Sequence, residues 1–144
     1  MRQTEGLTKA CDPKSLTVGQ LMEDAVFTCA PETDGLALAR MMSERRFGSL
    51  PVVGEDRELV GLVTEYDLLQ VMIEGRDLRK ITAAGIMTRK ILTVTEDLSL
   101  DGLANLFQDR YVTRVPVVRG RKLVGIVARR DLLFGYMKAL QYWS

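Results

Sequence analysis

Leu50-Pro51-Val52-Val53, then Gly54-Glu55-Asp56-Arg57, then Leu59-Val60-Gly61-Leu62-Val63-Thr64-Glu65-Tyr66-Asp67 is the stretch on which the reading of this chain turns. Two β-branched-rich runs flank a charged turn, a pattern that predicts a β-hairpin. Past Val63 the apolar period lengthens, and Leu68, Leu69 and Met72 mark a helix that starts at Thr64. Upstream, Leu38, Met41, Met42 and Arg45 keep the i, i+3, i+4, i+7 spacing of a helix with one buried face, the arginine closing the stripe on its polar side. Asp34 stands where a side-chain oxygen caps that helix, and the run Val26 to Cys29 before it reads as a short strand.

The same order returns further along. Met22 recurs as Met87, Thr28 as Thr93, and Pro51-Val52-Val53 as Pro116-Val117-Val118, a constant offset of 65 residues. One residue removed from the turn then aligns Leu59-Val60-Gly61-Leu62-Val63 with Leu123-Val124-Gly125-Ile126-Val127, and Asp67-Leu68-Leu69 with Asp131-Leu132-Leu133. Turns tolerate such a gap. Ser99 takes the capping place of Asp34, and Leu103, Leu106, Phe107 and Arg110 mirror the first helical stripe. The chain therefore divides into an arm (1–17), a first repeat (18–75), a charged linker (76–82), a second repeat (83–140) and a tail (141–144). Each repeat reads strand, helix, strand, strand, helix. A unit of about 55 residues buries too little surface to be comfortable alone, so the repeat predicts one pseudo-symmetric α+β domain of two β-α-β-β-α units packed sheet to sheet.

Composition excludes more than it selects. With 20 basic against 19 acidic residues the net charge is +1, which offers no footprint for a nucleic-acid backbone. No apolar run approaches the ~20 residues of a membrane span. Met1-Arg2-Gln3-Thr4-Glu5-Gly6 lacks the apolar core of a secretory signal, so the cytoplasm is the expected location. The chain has no histidine, which removes the usual general base, the commonest metal ligand and every Ser-His or Cys-His pair. Cys11 and Cys29 have neither a zinc spacing nor an evident disulfide role. No GxxxxGK[ST] or GxGxxG loop occurs, and no catalytic or metal residue is expected.

Leu50-Pro51-Val52-Val53 with Leu59 to Asp67, doubled as Val115-Pro116-Val117-Val118 with Leu123 to Asp131, resembles the CBS domain, named after cystathionine β-synthase. The likeness spans roughly residues 18 to 140 and is that of a tandem pair, a Bateman module. It implies a non-catalytic regulatory module that binds adenine nucleotides (AMP, ADP or ATP, the last with Mg2+) in clefts between the paired repeats. S-adenosylmethionine or an NAD-type ligand is the alternative within that class. It also implies a homodimer, a flat disc of four repeats held through their helices, acting on a regulated protein that the sequence does not name. The aromatic-rich stretch Phe134 to Trp143 fits such a contact. A reading of another kind is a ligand-free interaction module with empty clefts.

In Gly61 to Asp67 a strand runs straight into a helix, leaving backbone N–H groups where an anion could sit. The resemblance makes Thr64 a donor to ribose or phosphate and Asp67 the acceptor for two ribose hydroxyls, while Gly61 lets backbone pass closely. Thr64-x-x-Asp67 is equally a capping box, and capping alone would explain both residues. By the same resemblance Gly48, Ser49, Leu50 and Pro51 join the first site, and Lys90, Ile91, Thr113, Arg114, Val115, Pro116, Arg130 and Asp131 the second. Ala128 replaces the threonine there, and Arg89, Lys90, Arg114, Arg129 and Arg130 make that site the more basic. The first site then suits the nucleoside and the second a polyphosphate, with Arg114 able to grip it bidentately. Met41, Met42 and Met72 are expected in the core.

Overall fold

The hairpins form as the alternation requires. In the computed structural model, which describes residues 12–142, β1 (Ser49–Val53) pairs antiparallel with β2 (Leu59–Thr64), and β3 (Arg114–Arg119) with β4 (Lys122–Ala128). Residues 1–11, with Cys11 and most of the expected arm, and Trp143 and Ser144 lie outside the described residues. The registers are superimposable: Ser49 faces Thr64 as Arg114 faces Ala128, and each pair slips by one residue at Val52/Val53 or Val117/Val118. The first turn is a 3-10 turn over Glu55–Arg57 with Asp56 and Arg57 at positive φ. The second is shorter and places Gly120 at φ 63°, where a glycine is favoured.

The helices are α1 (Val18–Leu21), α2 (Gly35–Arg45), α3 (Glu65–Ile73), α4 (Ala83–Ile86), α5 (Leu100–Arg110) and α6 (Arg129–Tyr142). Both expected caps are made: Asp34 accepts from Ala37 N at 2.9 Å and Ser99 Oγ from Gly102 N at 3.1 Å. Each of the two long first helices ends on a residue in the left-handed region, Arg46 (φ 57°) and Tyr111 (φ 54°).

The expected first strands shrink to single parallel bridges. Cys29 N donates to Pro51 O and Val53 N to Cys29 O, at 3.0 and 2.9 Å; Val94 repeats this with Pro116 and Val118 at 3.1 and 2.9 Å. On the far edge of each hairpin lies an antiparallel bridge, Leu62 with Thr88 and Ile126 with Glu23. These edge bridges cross the repeat boundaries. One compact unit is residues 27–91; the other joins the described residues up to Val26 with those from Leu92 onward. Each unit therefore draws on both sequence repeats. The charged segment between repeats is folded into the first of them: Asp77 caps a 3-10 turn at Leu78–Lys80, and Ile81 is buried.

The core of the 27–91 unit gathers Leu38, Met42, Leu50, Val52, Val63 and Leu68 with Cys29 and Ala83. The other unit uses Leu21, Leu103, Phe107, Val115, Val117 and Val127, with Met22 and Val94. Met42 is in the core and Met41 packs against it, but Met72 is 58% exposed, because α3 turns Tyr66, Leu69, Met72 and Ile73 outward. Gly61 makes room for a side chain: a Cβ there would lie 2.3 Å from Met87 Sδ, and one on Gly125 would lie 2.5 Å from Met22 Sδ.

Burial pushes the Cys29 thiol up to about 11 from 9.0, and its Sγ lies 3.6 Å from Pro51 O. A thiol whose pKa is raised by folding leaves stability unchanged below pH 9 and lowers it as pH climbs from 9 towards 11, by about 2–3 kcal/mol at full ionisation. Urea denaturation at pH 8 and pH 10.5 should therefore show a smaller alkaline loss in Cys29→Ala than in the native chain. Equal losses would place the alkaline sensitivity elsewhere.

Candidate ligand-binding site

Each unit has one corner where the second hairpin strand enters a helix. In the 27–91 unit β2 ends at Thr64, which faces Ser49 across the hairpin, and Glu65 N donates to Gly48 O at 3.0 Å. Register and helix start together bring Gly48, Ser49, Thr64 and Asp67 to one place. The capping box forms: Thr64 N and Oγ1 donate to Asp67 Oδ2 at 2.8 and 3.1 Å, and Asp67 N donates to Thr64 Oγ1 at 3.3 Å. Both bonds to the carboxylate fall on Oδ2, so Oδ1 stands outside the box. Asp67 is half-buried, whereas Glu65 and Tyr66 are exposed beside it. The side chains of Leu50 and Pro51 are buried, and Pro51 O already accepts from Cys29 N.

The second corner has the same backbone and different chemistry. Arg129 N donates to Thr113 O at 3.1 Å, matching Glu65 and Gly48, and Ala128 N donates to Asp131 Oδ2 at 2.8 Å. Without a threonine hydroxyl the cap is half a box. Asp131 is only 3% exposed. Arg114 opens β3 opposite Ala128; its guanidinium is pushed down from the usual range by burial, while the charge of Asp131 acts the other way. Here a half-buried cation and a buried anion compensate one another. Val115 and Pro116 are buried like Leu50 and Pro51, while Arg129, Arg130 and Thr113 are exposed.

The basic group expected around the second site is divided. Arg89, exposed Lys90 and half-buried Ile91 belong to the compact unit of Thr64 and Asp67, whereas Arg114, Arg129 and Arg130 lie in the other with Asp131. Bridges between residues distant in sequence set that division, which the repeat alignment does not show.

One cluster escapes the sequence reading. The Arg45 guanidinium lies over the Phe27 ring, 4.0 Å from its centroid, and Phe27 and Phe47 are 5.8 Å apart at 45°. Arg45 thus leaves the polar edge of the helical stripe to cover an aromatic ring. A signal existed: the repeat partners of the two phenylalanines are Leu92 and Val112, so the aromatics belong to one copy only.

Among known families, the CBS domain model matches residues 18–74 and 83–138. Hypoxic response protein 1 of Mycobacterium tuberculosis is 32% identical over 119 residues, covering 81% of this chain and 83% of that protein. An uncharacterized protein of Methanopyrus kandleri is 33% identical over 122 residues, and the match spans 83% of this chain but 62% of its relative's length. Of solved structures, CBSX2 in complex with AMP is similar at 27% identity and TM-score 0.75, covering 86% of this chain and 98% of that one. A CBS domain pair in complex with 5′-methylthioadenosine and S-adenosyl-L-methionine matches at 29% identity and TM-score 0.71, with 84% and 97% covered.

Proposed function

The chain belongs to the CBS domain family and carries two copies, and from that premise we propose that it is a non-catalytic sensor of adenosine-containing ligands, with AMP, ADP or ATP as the cognate group. CBS domain pairs are regulatory ligand-binding modules. The observation that carries the reading is the half-buried Asp67 carboxylate, engaged through Oδ2 alone in the capping box with Thr64 at the start of α3. A carboxylate oxygen so placed accepts from a vicinal diol, and the first N–H groups of the helix favour an anion nearby. The ligands in the two similar structures, AMP and the 5′-methylthioadenosine and S-adenosyl-L-methionine pair, share the adenosine moiety.

The two corners then divide the work. The 27–91 corner presents Glu65 and Asp67 and suits the uncharged nucleoside end of a ligand. Arg114, Arg129 and Arg130 in the other corner suit phosphates, with Mg2+ accompanying ATP. S-adenosylmethionine is the second reading, favoured by the acidic character of the 27–91 corner towards a sulfonium cation.

Signalling follows from a difference in affinity for two shapes of the module, since equal affinity shifts nothing. The protein acts as a homodimer. Tyr66, Leu69, Met72 and Ile73 on α3, and Leu133, Met137 and Leu140 on α6, form outward apolar stripes between 47% and 78% exposed. Such stripes mark association surfaces. Among the described residues no helix is long and apolar enough to cross a membrane, in keeping with a cytoplasmic sensor that meets its regulated protein there.

A thermal-shift titration with AMP, ADP, ATP, NAD and S-adenosylmethionine tests this. A ligand at ~100 times its Kd adds about 2.7 kcal/mol, raising Tm by several degrees. The shift should vanish in Asp67→Ala, with calorimetric titration of the folded variant showing affinity at least about tenfold weaker. No shift with any ligand, from protein free of copurified nucleotide, would leave the ligand-free interaction module as the better reading.

A further inference from the structure

The hairpin of β3 and β4 is one pair longer than that of β1 and β2, and the extra pair sets Arg119 directly opposite Lys122. The first hairpin closes instead on Val53 and Leu59. Like charges held opposite one another across a strand pair repel, so this ending works against the fold. A two-residue turn completes it: Gly120, at φ 63°, supplies the tight bend, and Arg121 stands beside it at the apex. Arg119, Arg121 and Lys122 are all exposed. The corresponding turn of the first repeat carries Glu55, Asp56 and Glu58 with Arg57. One hairpin thus ends on cations and the other mainly on acids.

A carboxylate of the chain itself already occupies part of the basic tip. Arg119 Nε and Nη2 both donate to Glu96 Oε1, at 2.9 and 2.7 Å. We propose that this tip is the docking point for an acidic segment, rich in Asp and Glu, of the protein that the module regulates. An exposed arrangement that breaks a local rule of stability has the character of a functional surface. Three cations flanked by Glu96 and exposed Asp97 match a few carboxylates, whereas a nucleic-acid backbone needs a longer run of positive charge. The proposal takes from the reading above only that a regulated protein exists. The tip lies at the opposite end of its hairpin from Arg114 and Ala128, away from the ligand corner.

A fluorescein-labelled octaglutamate peptide, titrated by fluorescence polarisation, tests it. The native chain should bind saturably, with affinity falling as salt rises from about 50 mM to about 500 mM. Arg121→Glu should weaken binding at least about tenfold, while Arg110→Glu, an equal reversal of charge at an exposed position of the same unit, changes it less than about twofold. Lys122→Glu should also weaken binding and yet raise the urea midpoint, since it turns a repulsive pair into an attractive one. Equal losses in Arg121→Glu and Arg110→Glu, no binding by the native chain, or a lowered midpoint in Lys122→Glu overturns the proposal. So does tighter binding of an oligothymidylate of the same length, which would assign the tip to phosphates. AMP-induced thermal shifts in the same variants keep the two readings apart. A shift without peptide binding leaves the sensor standing, and peptide binding without a shift leaves the docking tip.

Discussion

Replacing Gly125 by valine is expected to destabilise the fold by about 3 kcal/mol, read as a lower urea midpoint with unchanged slope. A Cβ at this position would meet Met22 Sδ at 2.5 Å and Glu23 O at 3.0 Å. The first contact presses on a flexible side chain and the second on backbone. Relief moves Glu23 away from Ile126, with which it exchanges hydrogen bonds of 2.8 and 2.9 Å. Overpacking of 1–3 kcal/mol and the loss of bonds worth about 1 kcal/mol each add to the stated figure. Met22→Ala in the same chain should recover part of the loss, so that the double variant is more stable than the two single effects predict. Strict additivity would show that Met22 does not confine Gly125. Gly61→Val should cost less, since the three nearest atoms there all belong to the Met87 side chain and none to backbone.

The same substitution at the two equivalent aspartates should have unequal effects. Asp67→Ala removes a capping partner from a half-buried carboxylate and should cost about 1 kcal/mol, the ordinary worth of a helix cap. Asp131→Ala removes a carboxylate that is 3% exposed and compensates the half-buried Arg114, and should cost about 3 kcal/mol. Arg114→Met added to Asp131→Ala should return part of that loss, because it removes the cation left without its counter-charge. Equal costs at the two positions, measured by urea denaturation at pH 7, would show that Asp131 is no more than a cap.

What the sequence made legible was local. The hairpin around Gly54 to Glu58, the caps at Asp34 and Ser99, and the Thr64–Asp67 box depend on residues a few positions apart. Their chemistry is written in consecutive letters. The edge bridges from Glu23 to Ile126 and from Thr88 to Leu62 are not, because a backbone hydrogen bond carries no side-chain signature of its partner. For the same reason the first strands were overestimated: Val26 to Cys29 has the composition of a strand, yet Cys29 alone finds partners on β1. The helical period of α3 identified an apolar stripe but not what covers it, and so Met72 was expected inside. Gly61 reads as a place where backbone passes closely, whereas the nearest atoms it makes room for belong to the Met87 side chain. At the candidate site, residue types at Thr64, Asp67 and Asp131 were readable. The burial that separates the two aspartates comes from tertiary packing and was not.

The interleaving of the two units has a consequence for how the protein is made. Residues 27–91 form a unit from one continuous stretch, and its bridge from Leu62 to Thr88 can close as soon as that stretch has left the ribosome. Glu23 is synthesised earlier, but its partner Ile126 is added 103 residues later. Until then Val18, Leu21 and Met22 have no core to enter, and their apolar side chains stay available to chaperones or to other nascent chains. Ribosome-bound chains long enough for residue 91 to have left the ribosome, but with Ile126 still inside it or not yet added, should therefore hold one folded unit behind an unsettled amino-terminal segment.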